Sequence, residues 1–249
     1  PEFKIIRCDN EEKSFDCGGG SFARVFKVDD QINTYYALRV IQKFTNMVNV
    51  EDEKNGNKNH EVLQKKIIEM KKGVEPTIDM ENNFYIAKLY GHGTLTTTNS
   101  SDSDNNSNKI IKLIDSHNLI KFLSDVEIPF SIMEFGPKLL FFHIHHIVYE
   151  DKIKFINQIA TALNFIHQKE YVYFDLKLEN IILVEDTSGS DIYNVRLIDF
   201  GMLKHLEDAK TFKGGTKQTA APEIFKKEGE YYPEKCDVFS FGIVMFELL

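Results

Sequence analysis

Apolar and polar positions change rhythm a little past the middle of this chain. From about Phe3 to Val40 they alternate in short runs around a glycine cluster, Gly18-Gly19-Gly20. Alternation of period two predicts strand, turn and strand, because successive side chains of an extended backbone face opposite sides. Tyr35 to Ile41 is a compact apolar run of strand character, and Phe84 to Gly91 and Pro129 to Phe135 read the same way. Leu63, Ile67 and Met70 fall at helical spacing within His60 to Lys72. The polar stretch Asn46 to Asn59 predicts a flexible connection. Residues 96–109, rich in Asn, Ser and Asp, predict a low-complexity surface insert that cannot pack.

After Gly136-Pro137 the period lengthens. Ile153, Ile156, Ile159, Ala160, Leu163 and Ile166 draw an apolar stripe along a helix from Lys152 to His167. Ile181 to Val184 and Val195 to Ile198 predict two short strands, and Asp237 to Leu249 a mostly apolar helix that should be buried. Strands with one helix come first, then helices around a strand pair. That order predicts an α+β chain of two lobes, 4–135 and 136–249, with a cleft at Glu134 to Pro137.

Composition narrows the classes. The chain has 249 residues, 42% hydrophobic and 27% charged, enough apolar material for one large core or two lobes. A net charge of -8 argues against broad affinity for nucleic acid or an anionic membrane. No apolar run approaches the ~20 residues of a bilayer-crossing helix, and the start does not read as a secretory signal. Cys8, Cys17 and Cys236 are odd in number and scattered, which predicts reduced thiols in a cytosolic setting. Pro1-Glu2-Phe3 reads as a cloning remnant and is left out of the fold. His143, His145 and His146 have no Cys or acidic partner at ligand spacing and read as solvated helix surface.

Two short runs carry chemistry. Tyr173-Phe174-Asp175-Leu176-Lys177-Leu178-Glu179-Asn180 puts an acid, a base and an amide on one turn. Asp199-Phe200-Gly201 places another carboxylate at the end of the Val195–Ile198 strand. Such groups can hold two divalent cations, steady a transferring phosphate and accept a hydroxyl proton. The two runs resemble the catalytic loop and D-F-G motif of eukaryotic-type protein kinases. Other stretches add to the resemblance in the same order. Gly18-Gly19-Gly20-Ser21-Phe22-Ala23-Arg24-Val25 is similar to the kinase glycine-rich loop, with Ala23 at its third glycine. Pro129 to Gly136 resembles the strand and hinge beside the adenine pocket. Gly215 to Glu223, G-T-x-x-x-x-A-P-E, resembles the end of the activation segment, and Asp237 to Gly242 the start of the central helix.

The resemblance implies a bilobal kinase fold that uses ATP and Mg2+ and takes a protein Ser/Thr acceptor, with room for a regulatory or scaffold partner. It assigns Asp175 to the substrate hydroxyl, Lys177 to the γ-phosphoryl group, and Asn180 and Asp199 to magnesium. It places Gly18, Gly20, Ser21, Phe22 and Val25 over the phosphates. Met133 becomes the back wall of the adenine pocket, Glu134 and Phe135 offer it backbone groups, and Ala37 and Ile182 join the nucleotide site. Thr216 should bond near Asp175 and Lys177, Glu223 should anchor the segment, and Asp237 should orient the loop backbone. Lys177, two residues after the aspartate, is the serine/threonine form of this loop. The peptide platform at Gly215–Glu223 argues for a protein acceptor over a small molecule.

The pattern departs at two places. Arg39 stands where kinases carry a strand lysine paired with a helix glutamate, for which Glu69 is preferred over Glu61. Arginine keeps the charge, but its planar fork is no compact point charge. Three readings stay open: an engineered inactivation, a natural weak or non-catalytic kinase, or a functional arginine with a rearranged partner. Tyr173-Phe174 replaces the usual His-Arg. Tyrosine can pack as histidine does, but phenylalanine cannot bind an activation-loop phosphate, so such control at Thr211 or Thr216 is not expected. The resemblance implies several more helices after the central one, so the chain reads as truncated or as a minimal kinase, and a missing tail should leave the apolar face of Asp237–Leu249 partly uncovered. A serine/threonine kinase is the leading expectation, and a nucleotide-binding or scaffolding pseudokinase the alternative.

Overall fold

The computed structural model describes residues 4–5, 23–29, 35–41, 80, 83–96, 127–186, 192–226 and 231–249. The predicted helix His60–Lys72, the Gly18–Phe22 turn, Cys8, Cys17 and the insert beyond Thr96 lie outside them. The chain divides into two compact units, residues 1–71 with 89–135 and residues 72–88 with 136–249.

The first unit is an antiparallel sheet. Its strands are β1 (Lys4–Ile5), β2 (Ala23–Asp29), β3 (Tyr35–Ile41), β4 (Leu89–Thr96) and β5 (Glu127–Glu134), in the order β1-β2-β3-β5-β4. β2 and β3 pair along their full length, from Ala23 opposite Ile41 to Asp29 opposite Tyr35. The apolar run Tyr35–Ile41 forms a central strand, flanked on both sides, and Val28 and Leu38 are buried.

The pattern predicts one strand over Phe84–Gly91, but β4 begins only at Leu89. Asn83 breaks it: its side chain accepts the Tyr85 N–H at 2.8 Å, its own N–H goes to the Met80 carbonyl, and its carbonyl takes the Ile86 N–H. An Asn that satisfies the backbone two residues on makes a turn cheaper than a ladder. Ile86 instead bridges Leu197, and Ala87 N–H donates to the Leu197 carbonyl at 3.0 Å. Residues 72–88 therefore group with the second unit rather than with the 4–135 lobe.

The second unit runs β6 (Lys138–Leu139), α1 (Leu140–His143), α2 (Tyr149–Gln168), β7 (Tyr171–Val172), β8 (Ile181–Glu185), β9 (Tyr193–Leu197), β10 (Lys204–His205), α3 (Leu206–Ala209) and α4 (Pro233–Leu248). β6-β8-β9 form one sheet and β10-β7 another. α2 starts three residues before the predicted Lys152, with Glu150 and Asp151 in its first turn, where carboxylates complement the helix dipole. Its buried face carries Phe155, Ile156, Ile159, Ala162, Leu163 and Ile166. Ile153, expected on that face, is 37% exposed, and Ala160 is only half-buried. Seven residues apart, the two share one angular position at the edge of the stripe. Gln158 is buried and satisfied: it donates to Asn194 Oδ1 at 2.7 Å and accepts the Val195 N–H at 2.9 Å, pinning α2 to β9.

α4 begins at Pro233, earlier than the sequence pattern predicts, with proline where a helix tolerates its missing N–H. Only one of its faces is covered. Cys236, Asp237, Ser240, Val244 and Leu248 are buried, while Phe246 is 84% exposed and Val238 and Phe239 also face out. The expectation of a buried helix therefore holds for one face alone. Apolar residues lie on every side of it, and packing against α2 and β7 selects which are covered. No helix among the described residues is long and apolar enough to cross a membrane.

Candidate active site

The loop after α2 is shaped by one buried carboxylate. Asp237, fully buried on α4, accepts the Tyr173 N–H and the Phe174 N–H, each at 2.8 Å. His167 Nε2 lies 2.8 Å from the same side chain. Phe174 sits at φ 64°, a left-handed conformation rare for a bulky residue and costing about 1–3 kcal/mol. Charge-assisted bonds to adjacent N–H groups of that turn offset the cost.

The turn presents Asp175, 5% exposed, to three donors. Thr216 Oγ1 donates to Asp175 Oδ1 at 2.6 Å. Lys177 Nζ donates to Asp175 Oδ2 at 2.8 Å and to Thr216 Oγ1 at 2.8 Å. Asn180 Nδ2 donates to Asp175 Oδ2 at 2.9 Å and to the Asp175 carbonyl at 2.8 Å. The single helical turn Leu178–Asn180 brings Asn180 back under Asp175. Asp175, Lys177, Asn180 and Thr216 thus form one connected group, and Thr216 reaches it from 41 residues away.

The backbone just ahead of Asp199 is tied to this group through the strand ladder. Ile181 at the start of β8 faces Leu197 at the end of β9, and Ile198 N–H donates to the Asn180 carbonyl at 3.0 Å. The next residue, Asp199, takes φ 62° and accepts the Gly201 N–H at 3.3 Å. Both amide hydrogens of Asn180 go to Asp175, so its oxygen is what the side chain has left to offer. An amide oxygen and a carboxylate at the same ribbon end are the hard ligands that magnesium prefers, so the residues fit such an ion. Among the described residues, no group of three or more His, Cys, Asp or Glu side chains is gathered for a metal.

Tyr173 is fully buried, its hydroxyl donates to the Ile198 carbonyl, and its ring meets Phe200 edge-on at 5.4 Å. It packs where the resemblance puts histidine. Phe174, in the place of arginine, is 2% exposed within an apolar cluster with Val172, Ala220, Ala221 and Ile224.

With this geometry in view, the comparison with known families is specific: a model of the protein kinase domain matches residues 97–249, more than half of the chain. The chain belongs to the protein kinase family. Death-associated protein kinase 2 of Homo sapiens is 37% identical over 102 residues, which cover 40% of this chain and 26% of that protein. Calcium-dependent protein kinase 4 of Plasmodium falciparum is 35% identical over 101 residues, covering 40% of this chain and 18% of that protein. A putative protein kinase C delta type homolog of Drosophila melanogaster is 38% identical over 128 residues, 48% of this chain and 18% of that protein. The matched stretches thus span about a quarter or less of these relatives' lengths.

The remaining candidates of this kinase chain are distributed between the units. Ile182, 6% exposed, lies on β8 next to Gly136, in the second unit. In the first unit Val25 pairs with Arg39, and Arg39 with Ser131. Ala37 pairs with Met133, which is buried. Glu134 ends β5, and Phe135 follows it with its ring edge-on to Tyr35 at 6.4 Å. Gly18, Gly20, Ser21, Phe22 and Glu69 lie outside the described residues. The sequence reading missed His167, Phe212 and Tyr231. A histidine in the last turn of a helix reads as a dipole partner, and two aromatic residues in a loop carry no periodic signal.

Proposed function

We propose that this chain is a serine/threonine kinase domain that transfers the γ-phosphoryl group of ATP to a protein hydroxyl. The supporting observation is the Asp175 carboxylate held by Lys177, Asn180 and Thr216. Three donors fill three of its roughly four acceptor positions and leave one on Oδ1. A substrate hydroxyl donating there is oriented for attack, and its proton has an acceptor. Lys177, tied to both Asp175 and Thr216, supplies a fixed positive charge for the phosphoryl oxygens as they move. Asn180 Oδ1 and the Asp199 carboxylate are the groups that would hold Mg2+. When bound, that ion offsets the charge of the phosphates. The segment from Gly215 to Glu223 runs from the Phe174 carbonyl past Asp175, which favours a peptide acceptor over a small molecule.

Arg39 on β3 favours a second reading, a pseudokinase that binds nucleotide or acts as a scaffold. A phosphotransfer assay with Mg2+ and ATP on this chain and on Arg39→Lys separates the two. The lysine form is expected to gain at least ~100-fold, the scale of one preorganised charge contact. Equal, negligible rates in both would leave the scaffold reading standing.

A further inference from the structure

Thr216 can stay on Asp175 only if the chain from Asp199 to Glu223 keeps one course, and here an apolar anchor stands at the loop. The Phe174 ring lies against Phe212, centroids 4.5 Å apart and planes tilted by 35°. The Phe174 carbonyl also touches the segment: a Cβ on Gly215, whose φ is 101°, would sit 3.0 Å from it. Only glycine takes both that conformation and that approach without strain. Phe174 therefore meets the segment twice just ahead of Thr216, once through its ring and once through its backbone. From beyond the segment, the Tyr231 hydroxyl lies 2.6 Å from the Ala209 carbonyl and 2.7 Å from that of Phe212. Phe212 and Tyr231 both pack on the buried cluster that holds Phe174 and Cys236. These are ring-packing and hydroxyl–carbonyl contacts, which need no added charge on the loop.

We infer that Phe212 and Tyr231 are positioning residues: the Phe174–Phe212 stack and the Tyr231 hydroxyl hold residues 206–216 so that Thr216 meets Asp175 without modification of the loop. The catalytic consequence rests on the kinase reading, and the structural consequence does not. Two backbone amides report the structural part. Thr219 N–H and Ala220 N–H both bond the Thr216 carbonyl, at 3.0 and 2.8 Å.

The experiment uses the full chain carrying Arg39→Lys, with Phe212→Ala, Phe212→Tyr and Tyr231→Phe added singly, and Phe212→Ala also combined with Thr216→Val. Phe212→Ala is expected to speed hydrogen exchange at Thr219 and Ala220 by about tenfold or more. It should lower kcat by roughly 10- to 100-fold, the effect of a slight misplacement, with the KM for ATP unchanged. Phe212→Tyr keeps the ring and should restore both, while Tyr231→Phe should give a smaller loss in the same direction. In the Thr216→Val background Phe212→Ala should add little to the loss of kcat, because the contact it supports is already gone. Phosphatase treatment should change neither exchange nor kcat. Unchanged exchange in Phe212→Ala, an equal fold loss with and without Thr216→Val, or a collapse of kcat on phosphatase treatment would each overturn the inference. If no form transfers phosphate, the kinase reading fails, and exchange at Thr219 and Ala220 still decides whether the stack holds the segment.

Discussion

Replacing Asp237 by asparagine removes one charge and one acceptor from the centre of the second unit while keeping the side chain's shape. In the native arrangement Oδ1 accepts the Phe174 N–H, and Oδ2 accepts the Tyr173 N–H and faces His167 Nε2. The best orientation of an asparagine keeps its oxygen on the Tyr173 side and turns its NH2 toward the Phe174 N–H, donor against donor. That leaves one buried N–H unsatisfied, at about 1–3 kcal/mol, and weakens the other bonds by removing their charge assistance. Phe174, at φ 64°, loses the bond that held it in a disfavoured conformation. The sum is about 3 kcal/mol. With a urea m-value of about 2–3 kcal/mol/M, the unfolding midpoint of this unit should fall by on the order of 1 M. Asp237→Leu, which removes every acceptor, should cost more. On the kinase reading proposed above, phosphotransfer of the Arg39→Lys form at low urea should also drop, by roughly 100-fold, because the residue after Phe174 is Asp175. An Asp237→Asn midpoint within about 0.2 M of the unsubstituted protein, on the order of measurement error, would show that these bonds do not hold the loop.

Two further outcomes follow from crowding and burial. A Cβ on Gly136 would lie 2.7 Å from Ile182 Cβ and 2.9 Å from the Leu183 carbonyl. Gly136→Ala should therefore cost about 1–3 kcal/mol and lower Tm by several degrees, whereas Gly242→Ala, with nothing near its Cβ, should be neutral or slightly stabilising. A Gly136→Ala melt that matches the parent would refute the close approach. Cys236 is 1% exposed. Burial first, then the negative charges of Glu223, Asp237 and Glu234, push its thiol up from 9.0 to about 12. The raised value favours the neutral thiol in the fold, so its contribution to stability is intact below pH 9.0 and is lost as pH rises through about 12. At about pH 8, below the thiol's unfolded value, iodoacetamide should label Cys236 only after unfolding, read by mass mapping of its peptide. Equal labelling of native and urea-unfolded protein would contradict the burial.

The grouping of Asp175, Lys177 and Asn180 was legible because the three are close in sequence. Asp175, Lys177 and Asn180 share one turn, and spacing alone gathers them. Asp199 follows a strand whose apolar run is plain, and β8 and β9 lie within a residue or two of where the pattern put them. Compact apolar runs also marked β3 and β5, since a short bounded run of apolar residues is what a well-buried strand shows. What the pattern could not supply were partners and faces. Residues Phe84–Ile86 are as apolar as a strand, but Asn83 turns the chain and Leu197, over a hundred residues on, captures Ile86. α4 is apolar all round, so its composition predicts burial without choosing a side, and contacts with α2 and β7 choose it. The left-handed Phe174 is held in part by Asp237, 63 residues later, which accepts its N–H. Local rules of period and spacing act within a few residues along the backbone. Anchoring by Asp237, stacking by Phe212 and the arrival of Thr216 at Asp175 depend on chain segments that meet only once the core has formed.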